Sequence, residues 1–321
     1  MATCRLELMG LPNAHAYQRW AGSILPRGSH LLSGINIPNK KPGEPLLDWA
    51  RVLQEAACST DLCVHYSLKH QRGQGHPVAA FQRFCWQAVE AGVSRVLLVT
   101  GPRGPTLDAV AVLEQLVNQH PAPGQLRLGV AFNACLPTEG AREIERNRLI
   151  RKLMTGLIED VWLNCGSDIA LLGEGAAFIH RAAKESARAE LKVFGSVLLP
   201  NEAQLQQMRE RPWNGVHFSD EYLASLDGMA RVTVNVLEVF KGASVEPIVE
   251  SKVRTDSDLS KLQQLLRVQE GTTVAIHKVP CHERPVQRWR RRQSLQQQWQ
   301  EQEKGQEQEQ RRQSLYSKFS Q

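Results

Sequence analysis

The sequence has no apolar run that approaches the roughly 20 residues of a membrane span, so we expect no membrane-spanning segment. Its seven cysteines include no CxxC pair, which argues against a zinc knuckle, and their odd number argues against a complete disulfide framework. We therefore expect buried thiols in a reducing compartment. The first strand-like segment begins almost at Met1, leaving no space for a signal peptide, so we expect a cytoplasmic protein.

Excess charge of one sign is also scarce in most of the chain. The formal net charge is +6, but residues 283–321 carry +4 of it, so residues 1–282 are almost neutral. A nearly neutral body offers no general basic surface to nucleic acid, and we expect none to bind there. With 42% hydrophobic and 22% charged residues, the composition is typical of a globular protein.

Short leucine-rich or β-branched runs alternate with longer amphipathic stretches, which is typical of parallel strand–helix units. We predict eight strands, at 5–9, 31–37, 62–67, 95–100, 126–133, 160–164, 192–199 and 245–250. The first helix-like segment lies at 45–57, and later ones begin at capping residues such as Thr138 and Asp168. A further strand-like segment, WNGVHFS at 213–219, leaves room for a ninth strand.

The predicted fold is an α/β protein, a single TIM (β/α)8 barrel over residues 1–282. A barrel of this kind takes about 250 residues, which suits the length of the chain. An open doubly wound sheet shows the same alternation of strands and helices, but the GxGxxG fingerprint expected after its first strand is missing. The barrel is therefore preferred.

The segment 283–321 differs from the rest because it has twelve Gln and few apolar residues. It cannot bury enough surface to offset its ordering entropy, so we predict a disordered Gln/Arg-rich tail. Its two RRQS segments end in Ser294 and Ser314 and look like phosphorylation sites for basic-directed kinases. The basic cluster could also contact RNA or an anionic surface, and the simplest alternative is a solvated tail without a specific partner.

Polar residues occupy the interior side of several predicted strands. In a barrel strand, alternate side chains face the interior and the surrounding helices, and the helix-facing set must be apolar. This alternation points Glu7, His65, Asn133 and Asn164 inward, each near the carboxyl end of a different strand. Active sites of the fold lie at that face, so these four residues mark the candidate site.

Glu7 is the main candidate for a functional group, because burying an unpaired carboxylate costs several kcal/mol. A structural alternative is an ion pair with Arg5, which lies on the same face of the strand, or an ion pair across strands. His65 alone also fits an ordinary core histidine, and the GPRGP loop at 101–105 fits either a phosphate site or an ordinary turn. We expect no metal site.

The same residues carry a resemblance to the methylenetetrahydrofolate reductase family, which extends over most of residues 4–266. The segment RLELMG is similar to the family strand with a catalytic Glu, and VHYS to the strand with a His near the flavin. EAGVSRVLLVTGPRGP, VAFNACLPTEGAREIERNRLIRKLMTG, DVWLNCGSD and GSVLLP resemble later family segments. The resemblance assigns catalysis to Glu7, folate binding to Asn164, and cofactor binding to His65, Thr100, Gly101, Phe132, Arg151 and Lys152.

The sequence also departs from the family pattern, which marks it as a divergent member. Pro102 stands where the family has a loop Asp that interacts with flavin and folate, and Thr100 stands where it has an Arg. The family's Pro-Glu-x-His-Pro signature has Ala134 and Leu136 in place of its Glu and His. These differences affect substrate choice and the reaction itself.

The resemblance implies an FAD-dependent oxidoreductase in one-carbon metabolism and methionine biosynthesis. Hydride would pass from NAD(P)H through FAD to methylenetetrahydrofolate, giving methyltetrahydrofolate, with Glu7 as the general acid. Burial inside the barrel would raise the pKa of Glu7 and suit that role. Two alternatives stay open: a non-catalytic barrel that binds a partner or nucleic acid, and another flavin or pterin enzyme on the same scaffold. The sequence does not decide between NADH and NADPH, nor between a monomer and a homo-oligomer.

Overall fold

The computed structural model describes residues 3–56, 60–71, 76–101, 108–117, 126–187 and 190–269. The tail predicted at 283–321, with Ser294 and Ser314, lies outside these residues, as does Pro102. The barrel lies within a compact unit that spans Met1–Ile276. Among the described residues, no helix combines the length and apolar character that crossing a bilayer requires.

Eight parallel strands close into a barrel in chain order, which confirms the predicted fold. They are β1 (Cys4–Glu7), β2 (Leu32–Ile37), β3 (Leu62–Ser67), β4 (Arg95–Val99), β5 (Arg127–Phe132), β6 (Ile158–Leu163), β7 (Lys192–Val197) and β8 (Glu246–Val249). The barrel closes because β1 pairs with both β2 and β8. The segment 213–219 adds no ninth strand, since it contributes only an isolated bridge between His217 and Gly166.

Helices follow the strands and cover the outside of the barrel. They are α1 (Ala14–Ser23), α2 (Leu25–Gly28), α3 (Leu46–Ala56), α4 (Pro77–Glu90), α5 (Ala109–Val117), α6 (Glu139–Met154), α7 (Ile169–Glu185), α8 (Glu202–Glu210), α9 (Asp220–Ala224), α10 (Leu226–Gly242) and α11 (Asp256–Gln269). Thr138 and Asp168 cap α6 and α7 as predicted, each accepting a hydrogen bond from a backbone amide three residues on. The sequence analysis missed α1 and α2 between the first two strands.

Side chains alternate along each strand between two apolar layers. The outer layer, between strands and helices, takes Leu6, Val64, Val130 and Val161. The inner layer fills the barrel with Cys63, Leu97, Trp162, Phe194 and Ile248. The predicted inward and outward directions in β1, β3, β5 and β6 are therefore confirmed. The five cysteines of the described residues, Cys4, Cys63, Cys85, Cys135 and Cys165, are buried and free.

The amino-terminal end of the barrel holds an ionic network beneath the inner apolar layer. Arg5 binds Asp61 at 3.0 Å and donates to the Asn36 side chain at 2.9 Å. Arg95 bridges Asp61 at 2.8 Å and Asp160 at 2.5 Å. The Arg5–Glu7 pair considered from the sequence is therefore wrong, because the long Arg5 side chain reaches to the opposite end of the barrel from Glu7.

Candidate functional site

The carboxyl end of the barrel contains an ion pair between the buried Glu7 and the exposed Lys40. Glu7 ends β1 with its side chain 4% exposed, and its Oε1 lies 3.1 Å from the Nζ of Lys40, in the loop after β2. Burial favours protonated Glu7, but the opposing effects of Lys40 and His65 outweigh it and lower the Glu7 pKa. The predicted increase in the Glu7 pKa is thus wrong, because the sequence analysis lacked Lys40.

The loop after β2 is built to hold Lys40 in this place. One carboxylate oxygen of Glu44 accepts hydrogen bonds from the backbone amides of Lys40 and Lys41, at 2.6 and 2.9 Å. The Asn39 side-chain amide donates a hydrogen bond to the same Glu44 oxygen at 3.2 Å. Its carbonyl oxygen accepts one from the backbone amide of Ser67, also at 3.2 Å. The loop is therefore tied to its own carboxylate and to β3, which fixes the position from which Lys40 reaches Glu7.

His65 lies on the other side of Glu7, at the end of β3. Its Nε2 is 3.7 Å from the Oε2 of Glu7 and has no hydrogen-bond partner, although it is buried. Burial lowers the pKa of His65 to about 4, with Lys40 and Arg5 adding to the decrease and Glu7 opposing it. His65 is therefore neutral near pH 7, with a ring nitrogen directed at the site.

A second carboxyl group, Glu250, completes the cluster directly after β8. Burial raises its pKa to about 7, the nearby charge of Glu7 adds to the increase, and Lys40 and a hydrogen bond with Ser196 oppose it. Glu250 and Glu7 follow neighbouring strands, since β8 pairs with β1. The site thus combines an ionised carboxylate, an ammonium group, a neutral imidazole and a carboxyl group that titrates near neutral pH.

Asn133 and Asn164 converge on one backbone oxygen at the opposite side of the mouth. Their side-chain amides both donate to the carbonyl oxygen of Gly215, at 2.6 and 3.3 Å. Gly215 belongs to the segment 211–219, which connects α8 and α9. The Trp213 ring of the same segment lies 5.9 Å from the Nζ of Lys40. This segment, here called the mouth loop, therefore contacts both the asparagine pair and the Glu7–Lys40 pair.

Thr100 and Gly101, which the resemblance assigns to the cofactor, lie directly after β4 beside the end of β3. The Thr100 hydroxyl accepts from the backbone amide of Ala109 at 3.0 Å and so helps to begin α5. Gly101 has a φ of +80°, and a side chain there would meet Lys69. These two residues share the mouth with His65, while Pro102 and Arg103 fall outside the described residues.

Three other residues assigned to the cofactor face away from the mouth. Phe132 is buried in the outer layer, with its ring centroid 5.7 Å from that of Phe178 in α7. Arg151 forms a two-pronged pair with Glu114 at 2.9 and 3.0 Å. Lys152 is 5% exposed and donates to the carbonyl oxygen of Ala131 at 3.1 Å. Burial lowers the pKa of Lys152. The structure therefore does not bring these residues together with Glu7.

Sequence reasoning missed Lys40 and Glu250. For Glu250 the signal was present, since Ile248 lies in the inner layer and Val249 in the outer layer, so alternation directs residue 250 inward. Lys40 gave no comparable signal, because it lies in a loop where side-chain direction follows no period. Within the described ranges, no three His, Cys, Asp or Glu side chains form a group suited to a metal ion.

Comparison with solved structures finds the same architecture elsewhere. An uncharacterized protein from Clostridium thermocellum, which binds two copies of 5-methyl-5,6,7,8-tetrahydrofolic acid, matches with a TM-score of 0.60 and 11% identity. The match covers 85% of this chain and 96% of that chain. This chain shares its fold. At 11% identity the match shows the barrel and nothing finer.

A second structure is less similar. A putative dihydrodipicolinate synthase family protein from Coccidioides immitis matches with a TM-score of 0.42 and 11% identity, over 82% of this chain and 77% of that chain. No protein-family model matches the sequence, and no curated protein matches it either.

Proposed function

We propose that the protein binds a reduced folate at the mouth of the barrel and acts there as an FAD-dependent oxidoreductase. In this proposal, hydride passes from NAD(P)H through FAD to methylenetetrahydrofolate, which becomes methyltetrahydrofolate. The observation that carries it is the buried Glu7 carboxylate, paired with Lys40 and beside His65, at the end of the barrel where sites of this fold lie. The sequence resemblance to methylenetetrahydrofolate reductases supports the same site.

The chemistry of the mouth suits a pterin ring. The pyrimidine edge of a pterin presents neighbouring N–H donors, and an ionised carboxylate can accept two of them side by side. The Lys40 ammonium keeps Glu7 ionised, and the half-buried Trp213 ring offers a flat surface beside it. The fold shared with a protein that binds 5-methyl-5,6,7,8-tetrahydrofolic acid adds support.

Part of the mouth also suits a flavin. The buried Nε2 of His65 has no hydrogen-bond partner, and Gly101 follows the neighbouring strand β4, with the Lys69 side chain against its backbone. His65, Thr100 and Gly101 would contact the flavin ring, which supplies two-electron hydride chemistry when bound. Arg151 could meet a cofactor phosphate only by leaving Glu114, an exchange of small cost because the pair is on the surface.

The first test is the visible spectrum of the purified protein followed by turnover of the Glu7→Gln variant. We expect a yellow protein, and a variant that retains flavin but loses most of its folate reduction, because a neutral amide cannot accept the paired N–H donors of the pterin as the ionised carboxylate does. Glu246→Gln is the matched control. Glu246 is on β8 at the other end of the barrel, where it pairs with Ser33. Unchanged turnover in Glu7→Gln would remove Glu7 from the reaction.

A second candidate function is folate binding without redox chemistry. It is favoured because both basic residues that the resemblance assigns to the cofactor already have partners within the protein. Arg151 pairs with Glu114, and Lys152 donates to the carbonyl of Ala131. A colourless protein that binds methyltetrahydrofolate, as measured by calorimetry, would support this candidate. Loss of that binding in Glu7→Gln would still locate the folate at the mouth.

A further inference from the structure

Two carboxyl groups, the buried Glu7 and the partly buried Glu250, share one ammonium group at the mouth. Glu7 ends β1 and Glu250 directly follows β8, in strands that pair through Leu6 and Val249, and Lys40 acts electrostatically on both. Lys40 contacts Glu7 directly, at 3.1 Å. Glu250 instead has a neutral neighbour, the hydroxyl of Ser196 on β7, as its hydrogen-bond partner. The two groups therefore differ in what surrounds them, although they lie in the same cluster.

We propose that Glu250 holds the exchangeable proton of the mouth and donates it to the bound folate, while Glu7 stays ionised. This inference rests on the proposed function. It assigns the general acid to a residue of β8, instead of to the carboxylate of β1 to which the resemblance points.

The charge balance of the cluster supports this division. One ammonium group can neutralise one carboxylate, and a second carboxylate buried beside it would be destabilised by the first. Glu7 has the direct contact with Lys40 and lies beside His65, which its low pKa keeps neutral. Burial and the Glu7 charge raise the pKa of Glu250 to about 7, so it carries a proton through much of the neutral range. A group that titrates near the working pH is the most effective proton donor.

The proton completes the chemistry of the proposed reaction. The bridging methylene carbon of the folate accepts hydride, and its bond to N10 breaks. The N10 atom takes up one proton, which comes from Glu250, and the Glu250 carboxylate is then reprotonated from solvent. Hydride comes from NAD(P)H by way of FAD, so the electrons and the proton balance. Lys40 and Glu7 keep their own charges while Glu250 changes its protonation state.

The direct test is a carboxyl titration by NMR on protein labelled with ¹³C at its Glu side chains, without any ligand. We expect one carboxyl resonance to titrate near pH 7 and to be missing in Glu250→Gln. In Glu7→Gln its midpoint falls, because the repelling charge is gone, and in Lys40→Met it rises, because the attracting charge is gone. A Glu250 that titrates in the ordinary range of about 4 to 5 would overturn the inference.

The second test is the pH dependence of folate reduction. Wild-type kcat should fall above neutral pH as Glu250 ionises, and this limb should vanish in Glu250→Gln, whose kcat is lower by about 10²- to 10⁴-fold. Folate affinity should change less than about threefold, and Glu250→Asp should restore part of the rate and the pH limb. Neutral-range titration without any folate reduction would overturn the proposed function and the donor role together. Ordinary titration of Glu250 with intact reduction would overturn this inference alone.

Discussion

Inside the barrel, the Trp162 ring packs directly against the backbone of Gly129 and leaves no room for a side chain there. A Cβ atom on Gly129 would lie 2.1 Å from the Cζ3 atom of Trp162, closer than any real contact. Trp162 in turn packs on Phe194, with ring centroids 4.6 Å apart, so it cannot move away without disturbing the inner layer. The absence of a side chain at position 129 is therefore a packing requirement.

We expect Gly129→Ala to reduce the free energy of unfolding by about 1–3 kcal/mol, as is typical of an overpacked core. The matched control is Gly140→Ala in α6, where a Cβ atom would meet nothing within 4 Å. The control should leave stability unchanged or slightly higher. Urea unfolding of both variants measures the difference, and equal stabilities would show that the inner layer can shift to accept the methyl group.

For single residues, the sequence predicted which way a side chain points better than which residue it contacts. Strand alternation placed Glu7 and His65 inside the barrel, because an inward or outward direction is a local property of a strand. Alternation could not show that Lys40 contacts Glu7, since that contact depends on the path of a loop 33 residues further along the chain. The sign of the Glu7 pKa change depends on Lys40 together with His65, so it was predicted wrongly without Lys40.

Among the elements, the mouth loop at 211–219 has the most direct connection to the site. Gly215 accepts hydrogen bonds from Asn133 and Asn164, and Gly166 pairs with His217. These contacts attach the loop to the ends of β5 and β6. The asparagine amides therefore have a structural role in addition to the folate contact that the resemblance assigns to Asn164.

Replacing Asn133 with Ala should loosen the mouth loop. The Asn133 side chain also accepts from the backbone amide of Cys135, but its bond to Gly215 is the one that reaches the loop. Loss of that bond, worth about 1 kcal/mol, raises the equilibrium for local opening by about fivefold. Hydrogen–deuterium exchange of the amides at 214–218 should become faster by that factor, while exchange in the barrel strands stays the same. Asn147→Ala in α6 is the control, because the exposed Asn147 side chain donates to Glu143 of its own helix and lies far from the mouth loop in sequence. Unchanged exchange at 214–218 would show that other contacts hold the loop.

The helices show where sequence reasoning about elements fails. Asn13 caps α1, and Tyr17, Trp20 and Ala21 give it a buried face, but the helix is only ten residues long. It is followed by Pro26 in the short helix α2, so no long amphipathic period develops. The apolar residues of 213–219 have the pattern of a strand, yet they are buried by side-chain packing without forming one. The Phe218 ring, for example, stacks on the Tyr222 ring with centroids 4.3 Å apart. Burial alone can therefore produce an apolar pattern that resembles a strand.

For the molecule as a whole, stability should depend on the ionic network at the amino-terminal end of the barrel. Asp160 is fully buried and pairs with Arg95 at 2.5 Å and Arg127 at 2.9 Å. Its neighbour Glu159 is half-exposed and pairs with Arg127 alone, at 3.1 Å. The two acidic residues are adjacent in β6 but lie in very different surroundings.

Asp160→Asn should lower the free energy of unfolding by about 3–5 kcal/mol, because it leaves buried Arg95 without one of its two counter-charges. Glu159→Gln should cost at most about 1 kcal/mol, as for an exposed pair. Chemical denaturation at neutral pH measures both effects. Similar losses for the two variants would show that the network adds little beyond a surface pair.

The packed interior of the barrel determines how ligands can reach and leave the site. Among the described residues, the middle of the barrel is filled by Cys63, Leu97, Trp162, Phe194 and Ile248, with the arginine–aspartate network beneath them, and these side chains block the way from one end to the other. A ligand that reaches Glu7 must therefore enter and leave through the mouth of the barrel. Two bulky reactants that need the same position would have to take turns, the first departing before the second arrives.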